Sequence, residues 1–483
     1  MPSLRWERVD FNREIGSSSI GKGGLLGMLG VGWQGGVRFV TNILIGNVAG
    51  AILLGLTATA LSISQLIVLL WPAAAGAAAS RFVGLALGRR DVGEMQKVAG
   101  YFIRRLMIFQ LVAAVMSLTY WRLVERGSWL ECLTVVLLTL GLAGWTTTRG
   151  ILFGSGNVRR AVFTDVLTGA AGLVGLCLFM VFGIRSIVVL LPVACGYALY
   201  TILSIPRLAG SDFDQVLNKE IRRFVILGTV GTISSAGFLQ LSLLAARHFA
   251  GLEGAGQYSA SLTLATPLSL VAAGLSVVLY PTLARAWGGG STHEFRRITD
   301  QATRVLCLAL IGGLGVVVIV REGLVDLLWG PDFPDVVVVM PLLLAAVAIG
   351  GISSPSVSAI TTRSEVGMRI SAASSLSGAL VGCIAWAIFG SLGVQAIAWG
   401  YVAGSLIIAL VPIAVTWYRD GHAWVGLSLK VFAALLLVWG LSVLTEGTSV
   451  VVQVCGAVAF LGVWLALNRA EASLVLRGVS GRR

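Results

Sequence analysis

The chain has 483 residues, of which 57% are hydrophobic and only 12% charged, with 61 glycines and a formal net charge of +13. No water-soluble fold of this length has an interior large enough to hide so much apolar surface, so the composition excludes a soluble enzyme or binding module and defines a polytopic membrane protein. The cations lie in short segments between apolar runs, which is the pattern of membrane topology and not of a nucleic-acid surface.

The first twenty residues (MPSLRWERVDFNREIGSSSI) are polar and charged and lack the apolar centre of a signal peptide. The N-terminus is expected in the cytoplasm. A hydrocarbon core needs about 20 apolar residues per helix, and fourteen such stretches follow in order. They cover 23–47, 52–80, 103–121, 130–153, 163–183, 187–205, 225–246, 257–283, 304–320, 335–360, 370–390, 393–416, 430–446 and 449–468.

The first span holds the most informative cluster. Gln34, Arg38, Thr41 and Asn42 fall on one helical face. An arginine at bilayer depth costs roughly 2.5–3.5 kcal/mol or more, so this stripe should face a lobe interface or a wet cavity and not lipid. A planar guanidinium suits a phosphate or pyrophosphate. The plainer alternative is that Arg38 pairs with helix carbonyls or snorkels outward.

Further along, Arg81 closes the second span and Arg149, in TTTRGILFGSGN, the fourth. Both stand near the expected cytoplasmic mouth, where they serve as substrate contacts or as simple topology markers. Gln240 and Arg247 are seven apart on one face of the seventh span, near its outer end, where Arg247 is equally a candidate interfacial anchor. Polar faces at Thr57, Ser62 and Gln65, and at Ser259, Thr263 and Thr266, read as helix packing. Asp165 is placed at the cytoplasmic end of the fifth span, and the other carboxylates fall in loops or at span ends, leaving no acid in the middle of any span.

With the N-terminus inside, 29 of the 35 Lys and Arg residues fall on the cytoplasmic side. Arg122, Arg126, Arg185, Arg247 and Arg321 fall outside, and Arg38 within a span. One missed or added helix would swap every later loop, so the asymmetry supports both the count and cytoplasmic termini. The pattern also recurs after about 200 residues. ALGRRDVGEMQKV (86–98) is echoed by ARAWGGGSTHEFRRI (284–298), and RAVFTDVLTGAAG (160–172) by RISAASSLSGALV (369–381). The expected organisation is therefore an N-terminal six-helix lobe at 1–205, a cytoplasmic linker at 206–224 and a second lobe at 225–417. The remaining 418–483 forms two helices without a counterpart, an appendage for a partner or lipid, and a tail. Parallel lobes related by an axis along the membrane normal are a transporter arrangement.

Three longer stretches carry a family likeness. QLSLLAARHFAGLEGAGQYSASLTLATPLSLVAAGLSVVLYPTLAR (240–285) resembles the seventh and eighth helices of polysaccharide flippases of the multidrug/oligosaccharidyl-lipid/polysaccharide exporter superfamily, with EGAGQYSAS and YPTLAR its most specific elements. LLWGPDFPDVVVVMPLLLAAVAIGG (327–351) resembles the outer loop and tenth helix. AILLGLTATALSISQLIVLLWPAAAGAAASRFVGLALGRRD (51–91) resembles the second helix and its loop. The resemblance implies a multi-pass protein of the bacterial cytoplasmic membrane. It would carry a polyprenyl-pyrophosphate-linked oligosaccharide from the inner to the outer leaflet by alternating access, with glycan polymerases or glycosyltransferases as neighbours. It also suggests a basic residue at Arg149.

Three other functions stay open: a lipid II flippase, an exporter of cationic drugs from the same superfamily, and a membrane-embedded glycan polymerase. Drug exporters of the superfamily rely on buried carboxylates, and some lipid II flippases have an acidic sodium site in the second lobe. Spans 7, 11 and 12 hold no acid, which leaves membrane potential as a drive. No Walker sequence, GxSxG or zinc pattern is present, and the outer loop at 321–335 is short and lacks a catalytic set, so no enzyme is expected. No CxxC pair occurs among the six cysteines, and the three histidines are scattered, so neither a cofactor nor a metal is expected.

Overall fold

The structure is a computed structural model that describes residues 17–89, 91–205 and 215–473, with side chains from residue 26 onward except at 215–216, 277–278 and 281. Both chain termini, and the part of the linker at 206–214, lie outside the described residues. Those described form helices and turns without a strand. The long helices are α1 (Ser17–Leu69), α2 (Pro72–Gly88), α3 (Val92–Leu123), α4 (Trp129–Gly154), α5 (Val158–Val181), α6 (Leu191–Ser204), α7 (Gln215–Thr232) and α8 (Phe238–Gly288). After them come α9 (Thr292–Ile319), a short α10 (Arg321–Leu328), α11 (Pro334–Arg363), α12 (Glu365–Phe389), α13 (Val394–Asp420), α14 (Val425–Leu444) and α15 (Val450–Leu467).

Twelve of the described helical stretches are long and apolar enough to cross a membrane. Two of these each join two helices across a kink at a single glycine. Gly50 in α1 has φ 77° and Gly251 in α8 has φ 75°, a left-handed region that residues with a Cβ rarely enter. Eight residues of straight helix span about 12 Å. Yet a Cβ built on Gly46 would lie 3.2 Å from Cδ2 of Leu54, so the chain reverses between them. A π-helical turn at Ile233–Gly237 joins α7 to α8, and Leu70–Trp71 interrupts the second pass.

Several boundaries differ from the sequence expectation. The third pass begins at Val92 and not near 103, and the ninth at Thr292 and not near 304. Hydropathy marks only the part that lipid must solvate, whereas capping decides where a helix begins. Asp91 accepts the Glu94 amide at 2.8 Å and so starts α3 in water, two to three turns before the apolar run. The expected outer loop at 321–335 contains α10. The final two helices pack on α9: Trp464 Nε1 donates to the Leu308 carbonyl of α9 (2.9 Å), and Trp424 Nε1 donates to Asp300 Oδ1 of α9 (2.7 Å). At the other end Glu322 accepts from the Gly447 amide (2.9 Å) and from Gln453 Nε2 (3.1 Å).

The chain divides into two compact units, one of Met1–Thr41 with Leu56–Leu244, the other of Asn42–Gly55 with Ala245–Arg483. In the first, α2 crosses α4 where both present glycine. A Cβ on Gly76 would meet the Thr146 carbonyl at 2.6 Å, one on Gly154 the Ser80 carbonyl at 2.7 Å, and one on Gly150 the Gly76 carbonyl. Close glycine crossings of this kind replace the hydrophobic driving force that water supplies to soluble bundles. In the second unit, Asp420 at the end of α13 takes a two-pronged bond from Arg363 at the end of α11 (2.7 Å to each oxygen), with the guanidinium 4.4 Å above the Phe295 ring.

Gly150→Val should separate α2 from α4. Small-to-large changes in a packed interior cost about 1–3 kcal/mol, and a lowered melting temperature of the detergent-purified protein would show it. Gly440→Val, where a Cβ meets nothing within 4 Å, is the control and should leave the melting temperature in place.

Candidate functional site

The first unit contains a buried polar centre built around Asp165. This carboxylate lies two turns inside α5 and is 1% exposed. The sequence reading placed it at the helix end. Its depth comes from the packing of α1, α4 and α6 around it, not from its distance along α5. A carboxylate in such surroundings must be paired and hydrogen-bonded, and two helices, α1 and α4, supply the partners. Gln34 Nε2 of α1 and Trp145 Nε1 of α4 (2.9 Å) both donate to Oδ1. Arg149 of α4 approaches Oδ2 with its Nε at 3.6 Å. Trp33 Nε1 donates to the Asp165 backbone carbonyl at 3.2 Å, and Tyr197 OH of α6 donates to Gln34 Oε1 at 3.4 Å.

The spacing of these residues explains why they meet. Trp145 and Arg149 are four apart on α4 and share a face. The guanidinium carbon of Arg149 is 5.0 Å from the Trp145 ring centroid and 4.8 Å from that of Phe153, an aromatic cradle that holds a cation without neutralising it. Gly30 of α1 makes room for this group, since a Cβ there would stand 3.1 Å from Arg149 Nη2. The pairing is incomplete: Arg149 Nε and Nη2 and Asp165 Oδ2 are buried without a hydrogen bond. Beside the pair, Gln34, Val37, Asp165, Thr168, Gly169, Gly172, Val193, Gly196 and Tyr197 line a small pocket with room for about one water-sized guest.

The other expected site residues are dispersed. Arg38 is half-buried, with no hydrogen bond or ion pair among the described residues. Asn42 belongs to the second unit, where its Nδ2 donates to Thr263 Oγ1 at 2.8 Å. The polar stripe of the first span is thus divided: Gln34 engages Asp165, Asn42 engages Thr263, and Arg38 between them is unpaired. Gln240 Nε2 donates to Gln65 Oε1 at 2.9 Å within the first unit, an amide pair of the kind that ties membrane helices together. Arg247, seven residues on, lies in the second unit and is half-buried. Arg81 is exposed and rests 4.9 Å from the Phe224 ring centroid. Only Gln34 and Arg149 of the expected set converge, and Asp165, Trp145 and Tyr197 were not anticipated. The available signal was the lone acid within Val158–Val181, beside a Trp145/Arg149 pair at helical spacing. Among the described residues no group of three His, Cys, Asp or Glu side chains could hold a metal ion.

No known family model and no curated protein matches the chain. Solved structures do share its fold. An inward-facing multidrug resistance MATE family transporter of the MOP superfamily superposes with a TM-score of 0.65 at 13% identity, over 80% of this chain and 94% of that one. An outward-facing conformation of such a transporter gives 0.58 at 14% identity, over 83% and 95%. A MOP superfamily transporter from Pyrococcus furiosus, described by the reverse polarity of its binding pocket, gives 0.61 at 14%, over 83% and 95%. At these identities the likeness defines a MATE-like fold.

Removing one partner of a buried ion pair leaves an uncompensated charge and typically costs about 3–5 kcal/mol. Asp165→Ala should therefore destabilise the protein strongly, while Asp165→Leu combined with Arg149→Met should recover much of the loss. A double-mutant cycle of melting temperatures measures this. Additive effects would show that the two side chains do not interact.

Proposed function

We propose that the protein is an alternating-access transporter whose substrate is anionic, in particular a flippase for polyprenyl-pyrophosphate-linked oligosaccharides. One observation carries the reading: the buried carboxylate of the first unit already has Arg149 as counter-ion, whereas Arg38 has none among the described residues. An exporter of cations needs a carboxylate left free for its substrate or coupling ion. Here the buried centre offers no net negative charge, and the nearest unpaired ionised group on α1 is positive. A half-buried guanidinium costs free energy unless an anion visits it, and a pyrophosphate provides charge-assisted acceptors for its fork. The MATE-like fold, solved elsewhere in inward- and outward-facing forms, supports alternating access. The reverse polarity of the binding pocket described for the Pyrococcus furiosus transporter, and the different function it suggests there, give a precedent for a changed pocket on this fold.

In this mechanism Arg38 contacts the pyrophosphate, Gln34, one turn before it on α1, flanks it, and the lipid tail stays in the bilayer. Gln240, Arg247, Arg81 and Arg149 are secondary contacts along the path. Lipid II would satisfy the same chemistry. The protein would act in the bacterial cytoplasmic membrane beside glycan polymerases or glycosyltransferases, without catalysing a reaction itself.

Arg38→Ala should lower translocation of a lipid-linked sugar at least tenfold with protein abundance unchanged, and Arg38→Lys should restore only part, because an ammonium lacks the two-pronged geometry. Full transport by Arg38→Ala would remove Arg38 from the site. Resistance to cationic dyes on overproduction would favour a drug exporter instead.

A further inference from the structure

The end of α13 in the second unit holds another buried carboxylate, and around this one hydrogen-bond donors are in surplus. Each oxygen of Asp420 accepts one prong of the Arg363 guanidinium at 2.7 Å. Arg296 of α9 also approaches, its Nε 3.8 Å from Oδ1, and His422, two residues beyond α13, brings Nε2 to 3.7 Å from Oδ2. Neither contact is short enough for a hydrogen bond. Two guanidinium charges therefore face a single carboxylate.

Aromatic rings hold this cluster in place without satisfying it. The Arg363 side chain, 5% exposed, lies 4.4 Å from the Phe295 ring centroid and 5.4 Å from that of Trp287. The His422 side chain, 6% exposed, stacks on Trp424 with 4.5 Å between centroids and 10° between planes. Trp424 is itself fixed through Nε1 to Asp300, whose other oxygen takes Arg304 Nε at 2.8 Å. Asp300 is thus committed elsewhere. Ring faces attract a cation but leave its N–H groups without acceptors. Accordingly, Arg363 Nε and His422 Nε2 are buried without a hydrogen-bond partner. Arg363 Nε can only donate. His422 Nε2 looks onto carboxylate lone pairs, which selects the tautomer with its proton on that nitrogen.

We propose that Arg296, Arg363 and His422 form a binding site for a phosphate group, at the end of the second unit that the arginine asymmetry assigns to the cytoplasm. A phosphate supplies both things the cluster calls for, negative charge and several acceptor oxygens, and guanidinium donors suit it by charge and by shape. Arg296, whose side chain is 53% exposed, is the arm that reaches solvent. On binding it turns from Asp420 to the phosphate, while Asp420 keeps the Arg363 fork in position. An anionic phospholipid headgroup and free inorganic phosphate share this chemistry. The site is independent of Arg38 and of the molecule transported.

The test uses the full-length protein and reads its melting temperature. One arm adds inorganic phosphate against sodium chloride of equal ionic strength. The other compares nanodiscs of phosphatidylglycerol with nanodiscs of phosphatidylcholine. A ligand that binds only the folded state raises the melting temperature, here by about 3 °C or more. Arg296→Gln, and His422→Phe, which keeps the ring stack on Trp424, should each lose most of that gain. A gain from both probes supports a phosphate site open to either source. A gain with phosphatidylglycerol alone assigns it to a lipid headgroup, and one with phosphate alone to a soluble anion. No gain from either probe, or an equal gain in Arg296→Gln, overturns the site. The exposed Arg296 position keeps this decision available even where His422→Phe fails to fold.

Discussion

A charge inside a low-dielectric helix bundle has to find its opposite, and in the first unit this requirement organises everything around Asp165. The carboxylate draws Gln34 from α1, Trp145 and Arg149 from α4, and through Gln34 the Tyr197 hydroxyl from α6, while the Trp33 indole of α1 donates to the Asp165 backbone carbonyl. Four helices are thereby fixed in rotation as well as position, because each donor has one face from which it can reach. Apolar packing in a membrane cannot do this by itself, since a leucine facing lipid and one facing a neighbouring helix are solvated almost equally.

Glycine performs the complementary task. Where α2 crosses α4 at Gly76, Gly150 and Gly154, carbonyls sit where side chains would otherwise stand. Arg149, the neighbour of Gly150, rests in an aromatic cradle that its own helix supplies, Trp145 and Phe153. Packing and electrostatics therefore share residues: the small side chains set the helix separation, and the charged ones then determine which faces look inward. In the second unit the Arg363–Asp420 pair does the same work at the ends of α11 and α13, while two indoles and Glu322 bind the C-terminal helices onto α9 and its continuation.

The charge of the buried centre is balanced inside the first unit. A carboxylate with its own arginine is a structural centre with a small water-sized pocket beside it, too small for an oligosaccharide or a drug. The unpaired Arg38 stands four residues from Gln34, on the helix that also delivers Asn42 to the second unit. One helix, α1, thus carries Gln34, which bonds the buried carboxylate, and Arg38.

Composition and periodicity alone determined that the chain is an all-helical, multi-pass membrane protein, because burial of backbone polar groups in lipid leaves few alternatives. They also singled out Arg38, Gln34 and Arg149, since polar residues within apolar runs stand out. Tertiary packing decided the rest. Asp165 looked terminal because depth along a helix axis says nothing of what surrounds that point. The start of α3 was missed because a cap acts in water, beyond the hydropathy signal. Nothing in the order of residues announces that 42–55 packs with residues far along the chain: that assignment depends on glycine at Gly55 and Gly256 meeting carbonyls some two hundred positions away, a contact that local sequence does not encode.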